Sequence, residues 1–125
     1  MAQAFRALQR RGVIDAVREL PAGLVLEGAG DCVWDRPRSL FWMGYGPRSD
    51  AACRDVVQET WAVEAVALEL ADARFYHIDT ALCPLPGSEV MYFPGAFTPA
   101  GRAAIREWVA PHQRIEVGIE DACQL

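Results

Sequence analysis

Residues 26–50 read LEGAGDCVWDRPRSLFWMGYGPRSD. The apolar and aromatic runs Cys32-Val33-Trp34 and Leu40-Phe41-Trp42-Met43 flank a polar turn, Asp35-Arg36-Pro37-Arg38-Ser39, which is the pattern of a β-hairpin. A hairpin excludes a purely parallel, doubly wound sheet, whose neighbouring strands need long crossovers. Upstream, the turn Pro21-Ala22-Gly23 precedes Leu24-Val25-Leu26, a short run suited to a buried strand. Downstream, Gly44-Tyr45-Gly46-Pro47-Arg48 is a glycine-rich loop, and Ser49 has the chemistry of a helix N-cap. A helix over 50–60 is expected to bury Ala52, Val56 and Cys53.

The same reading extends to both ends. A short helix is expected over 3–11, stopped by Gly12, while 14–20 fits a strand or a helix equally. Residues 63–70 alternate with a strand period, and 76–82 and 90–93 read as two further strands around the turn Pro84-Leu85-Pro86-Gly87-Ser88. Thr98 caps a helix over 99–109 with Pro99 in its first position, burying Ala104, Ile105 and Trp108. A last strand over 114–117 leads into a tail at 120–125. No internal repeat is obvious. The pattern is α/β, with a helix after each hairpin.

At 125 residues the chain is expected to form a single domain over 1–125. A net charge of −5 argues against a nucleic-acid partner. No apolar run is long enough for a membrane span. The first residues, MAQAFRALQRRG, do not read as a secretory signal, so a cytoplasmic location is expected. The chain has no Lys, which excludes Schiff-base chemistry and a P-loop lysine. Cys32, Cys53, Cys83 and Cys123 form no CxxC pair and read as reduced thiols. His77 and His112 do not supply the close spacing of a zinc site, so no metal is expected.

Three clusters could carry chemistry. In Glu27-Gly28-Ala29-Gly30-Asp31, two carboxylates bracket small residues that admit close backbone approach; the alternative is a tight turn with two exposed acids. In Phe75-Tyr76-His77-Ile78-Asp79-Thr80, a strand would put His77 and Asp79 on one face, where the acid helps the imidazole act as a general acid; the alternative is a hydrogen-bonded core histidine. Arg48, beside glycines and an expected helix start, is suited to hold a carboxylate with its two-pronged fork; the alternative is a solvated surface arginine.

Together, LEGAGDCVWD, WMGYGPRSD, LELADARFYHIDTALCPL and VMYFPGAF resemble the guanidino-modifying enzymes of the pentein fold, in particular the amidinotransferase and dimethylarginine dimethylaminohydrolase-like branch. The resemblance runs from about Leu24 to Phe97. It implies a partial pentein, an α/β propeller of ββαβ-type modules, with about two to three of the family's five. It further implies that Glu27 binds the substrate guanidinium and Asp31 closes that motif. His77 is then the general acid/base, Asp79 a second guanidinium-binding carboxylate, and Arg48 the holder of the substrate α-carboxylate.

The implied chemistry transfers or hydrolyses the amidino group of an arginine derivative through a covalent amidino-cysteine, with no metal or cofactor. In the family the nucleophilic Cys lies well downstream of the histidine. None of the four cysteines here matches it, so all are read as structural. The isolated chain is therefore expected to be inactive, and to be either part of an enzyme or a non-catalytic guanidino-binding or structural remnant. Open sheet edges imply a homo-oligomer or a complementing chain.

Overall fold

The hairpin sets the first half of the molecule, whose computed structural model describes residues 2–124. Strands β1 (Cys32–Asp35) and β2 (Leu40–Tyr45) pair antiparallel, with Asp35 opposite Leu40 and Cys32 opposite Met43. Helix α2 (Cys53–Trp61) then carries the chain over to β3 (Glu64–Glu69), which lies parallel to β2. The second half repeats this plan. Strands β4 (Leu82–Pro84) and β5 (Val90–Tyr92) form a hairpin, helix α3 (Pro99–Trp108) crosses over, and β6 (Arg114–Glu116) pairs parallel with β5. Two three-stranded sheets result, in the orders β1-β2-β3 and β4-β5-β6. Helices α1 (Ala2–Arg10) and α4 (Ile119–Ala122) flank the two ββαβ units.

The repeat that the sequence conceals is explicit in the backbone. Each unit is entered through a single 3-10 turn, Gly28–Gly30 in the first and Ile78–Thr80 in the second. The turns close with equivalent bonds, Asp31 N–H to the Gly28 carbonyl and Ala81 N–H to the Ile78 carbonyl. Beyond them, Gly44 N–H bonds the Asp31 carbonyl just as Phe93 N–H bonds that of Ala81, both at 3.0 Å. Ser39 and Ser88, near the hairpin ends, both have positive φ. Glu27 and His77 therefore occupy the same position, immediately before each unit's turn.

The main core lies between the units and includes Leu40, Trp42, Leu68, Ile78, Tyr92, Phe97 and Ile105. A smaller cluster of Met43, Cys53, Val57 and Ala65 packs α2 against the first sheet. Arg38 ties the units together. Its guanidinium pairs with the buried Asp35 at 3.0 Å and donates to the carbonyls of Trp108 and Ser88 and to the Gln113 side chain. Asp35 also accepts from Trp42 Nε1 at 2.9 Å, so both charges of the pair are hydrogen-bonded where they are buried.

Several expectations are corrected. Residues 24–26 form no strand; Val25 instead exchanges bonds with Asp50, through Val25 N–H to Oδ2 and Asp50 N–H to the Val25 carbonyl. Helix α2 begins at Cys53 with Ala52 as a cap lacking a side-chain bond, so Ser49 is not its N-cap; Cys53 is buried as expected, and it is joined by Val57 rather than by Val56 or Ala52. Residues 76–82 are not a continuous strand, because the 3-10 turn interrupts them. Trp108 is exposed, while Thr98 does cap α3 by accepting from Gly101 N–H. The expected tail at 120–125 is helical over Ile119–Ala122, and Leu125 lies outside the described residues.

Candidate active site

The two turns meet at one end of the sheets and bring their leading residues together. Glu27 Oε2 lies 3.3 Å from His77 Nε2. On the other side of the imidazole, Nδ1 lies 3.2 Å from Asp31 Oδ2. The histidine is thus clamped between two carboxylates of different character. Glu27 is partly exposed, whereas Asp31 is only 1% exposed.

A carboxylate buried to that degree needs partners, because desolvation is expensive. Asp31 has them. Oδ2 accepts from Ser49 Oγ at 2.6 Å, and Oδ1 accepts from Ile78 N–H at 3.2 Å. Ser49 Oγ in turn accepts from Glu27 N–H at 3.0 Å, so one hydroxyl fixes both ends of the 27–31 turn. Two glycines make this packing possible. A Cβ on Gly44 would lie 2.9 Å from Asp31 Oδ1 and 2.8 Å from Ile78 Cβ, and one on Gly30 would meet the His77 ring at 3.2 Å. Asp31 therefore orients His77 and joins the two units, while Glu27 faces the open side.

Arg48 completes the cluster from the loop after β2. Its Nη1 is 3.8 Å from Glu27 Oε1, and its Cζ sits 5.5 Å from the centroid of the Tyr76 ring. Chemically, the arrangement offers a carboxylate that can take a planar cation in a charge-assisted pair, an imidazole beside it that can move a proton, and a half-exposed guanidinium for an anion.

Of the sequence-predicted residues, Glu27, Asp31, His77 and Arg48 converge. Asp79 is exposed within the 3-10 turn and borders a small cavity of about 20 Å³ with Thr80, Tyr92 and Ala122. The alternation that would align it with His77 does not apply, because the chain is turning there rather than extended. Ser49 bridges Glu27 and Asp31 instead of capping a helix, a role with no signal in the sequence beyond its place between Arg48 and Asp50.

Among the described residues, no cysteine side chain is hydrogen-bonded to Glu27, Asp31, His77 or Arg48. Burial, helped by the Asp31 charge and Cys53, pushes the Cys32 thiol up to about 11. Burial, helped by Asp50, also raises that of the buried Cys53, whose Sγ donates to the Val25 carbonyl. Cys83 and Cys123 are exposed. Among the described residues, no group of three or more His, Cys, Asp and Glu is arranged to hold a metal ion.

Two ββαβ units with a glutamate, a histidine and an arginine meeting at one end make the chain a partial pentein, related by sequence and fold to the guanidino-modifying amidinohydrolases. Two relatives are a bifunctional arginine dihydrolase/ornithine cyclodeaminase, AgrE of Nostoc, and the dimethylarginine dimethylaminohydrolase of Mycobacterium tuberculosis. The chain is 42% identical to AgrE over 106 residues, covering 85% of this chain and 15% of AgrE. It is 40% identical to the mycobacterial enzyme over 78 residues, 62% of this chain and 25% of that protein.

Among solved structures, the N-terminal domain of ArgZ, a cyanobacterial arginine dihydrolase, bound to product, superposes with a TM-score of 0.85 at 39% identity, covering 94% of this chain and 43% of that one. The same domain is known with a reaction intermediate covalently bound. AgrE in complex with ornithine and NAD+ superposes with a TM-score of 0.86 at 38% identity, covering 94% of this chain and 17% of that one. A cysteine-to-alanine variant of AgrE is known with L-arginine. No protein-family model matches the chain.

Proposed function

We propose that this chain forms the guanidinium-binding and proton-transfer half of an amidino-hydrolysing site that acts on arginine or a derivative. The observation that carries the reading is the His77 imidazole held between the open carboxylate of Glu27 and the buried one of Asp31. Glu27 binds the substrate guanidinium through paired charge-assisted hydrogen bonds. His77, oriented by Asp31, protonates the leaving amine and then activates water. Arg48 takes the α-carboxylate. The nucleophilic thiol comes from outside these residues, from a further segment or a complementing chain. The raised Cys32 and Cys53 thiols support this, because a neutral thiol is a poor nucleophile.

Titration calorimetry tests the reading. The chain should bind L-arginine near millimolar, since only part of a pocket is present. Glu27→Gln should weaken binding about tenfold, as expected for a charge-assisted hydrogen bond worth roughly 1.5–3 kcal/mol. Arg48→Ala should weaken L-arginine but spare agmatine, which has no carboxylate. Absence of binding at several millimolar, or binding indifferent to Glu27→Gln, refutes the function.

A further inference from the structure

Tyr76 is an aromatic residue left 46% exposed beside the site. Its ring makes two contacts there. The ring centroid is 4.8 Å from that of His77, with the planes tilted by 59°, and Arg48 Cζ lies 5.5 Å from the ring centroid. Both contacts belong to the ring and not to the hydroxyl.

Arg48 meanwhile rests against Glu27, the carboxylate assigned to the substrate guanidinium. These two uses of Glu27 conflict. A substrate guanidinium on Glu27 would stand at contact distance from a second guanidinium, and like charges at that range repel. Arg48 must give way, and with half its side chain in solvent it is free to do so. A displaced arginine with no other partner would return to water and to its full rotamer freedom.

We propose that Tyr76 is a positioning residue: its ring face keeps Arg48 at the site when a substrate guanidinium takes Glu27 from it. The proposal rests on the function proposed above. An aromatic face attracts a guanidinium without using a carboxylate, and it leaves the N–H groups at the guanidinium edge free to fork onto the substrate's α-carboxylate. The tilted contact with His77, itself held by Asp31, fixes the ring in place.

The test is titration of the full chain with L-arginine and agmatine, comparing the unaltered protein with Tyr76→Phe, Tyr76→Leu, Arg48→Ala and the Tyr76→Leu/Arg48→Ala pair. Tyr76→Phe keeps the ring and should bind like the unaltered chain. Tyr76→Leu should weaken L-arginine about threefold to fivefold, the range of a partly exposed cation–π contact, and leave agmatine unchanged. On the Arg48→Ala background, Tyr76→Leu should add nothing.

A general loosening of the fold would move both ligands together, so equal losses for L-arginine and agmatine overturn the proposal. So does a Phe variant as weak as the Leu variant, or additivity with Arg48→Ala. L-arginine binding that responds to Glu27→Gln but ignores Tyr76→Leu refutes this proposal alone. An unaltered chain that binds neither ligand refutes the function and this proposal with it.

Discussion

Replacing Asp31 with asparagine preserves volume and removes only the charge and one acceptor. The carboxylate serves Ser49 Oγ at 2.6 Å, Ile78 N–H at 3.2 Å and His77 Nδ1 at 3.2 Å. An asparagine can keep its oxygen toward Ile78 N–H. Its NH2 group then faces Ser49, whose hydroxyl already accepts from Glu27 N–H. Ser49 can accept twice, but its own proton loses its partner in a buried place. The cost is one charge-assisted bond plus a stranded donor, about 2–4 kcal/mol. Against a total stability of roughly 5–15 kcal/mol, that is a large fraction. Urea unfolding followed by tryptophan fluorescence reads it directly, as a lower midpoint at an unchanged slope. A loss below about 0.5 kcal/mol would show that the buried carboxylate is not what joins the two turns.

Arg38→Ala strands the fully buried Asp35 and removes the bonds to Trp108, Ser88 and Gln113, so it should cost about 3–5 kcal/mol in the same urea assay; a change under 1 kcal/mol would refute the clasp between units. Gly44→Ala places a methyl 2.8 Å from Ile78 Cβ and should destabilise by about 1–3 kcal/mol while weakening L-arginine binding, because Ile78 follows His77 directly. Iodoacetamide at pH 8.5 should label Cys83 and Cys123 rapidly and Cys32 and Cys53 only on unfolding, as followed by mass spectrometry. Cys32 sits at about 11 in the fold against an ordinary value of 9.0, so its contribution is intact below about pH 9 and is lost as pH rises through 11.

The hairpin was legible because two aromatic runs around Asp35-Arg36-Pro37-Arg38-Ser39 admit few other structures, and Thr98-Pro99 announced α3. The convergence of Glu27, Asp31, His77 and Arg48 came from resemblance of whole segments; periodicity alone left each cluster open. The strand expected over 76–82 failed for a local reason. Short bonds from Ala81 N–H and Thr80 Oγ back to Ile78 and His77 outweigh the β-propensity of Tyr76 and Ile78. The repeat was invisible because the units share backbone geometry and not residues: Gly44 corresponds to Phe93, and Asp31 to Ala81. Trp108 is exposed against expectation because helical spacing says which side chains share a face, not how much of that face its neighbours cover.

Glu27 and His77 stand in N-cap positions, yet neither side chain caps its turn. The turns are closed by main-chain bonds, and their packing falls to Asp31, Ser49 and the two glycines. Folding duty and chemical duty are thus assigned to different residues within a few positions of each other. The His77 ring packs on Gly30 and bonds the buried Asp31, so the framework constrains it; it places few demands on Glu27, which is free to vary in its reactivity at small cost in stability. Asp31 is bound to both tasks and is not. A scaffold divided in this way can change its chemistry at a residue that leads into a turn, and the duplicated plan supplies one such position each time the unit recurs.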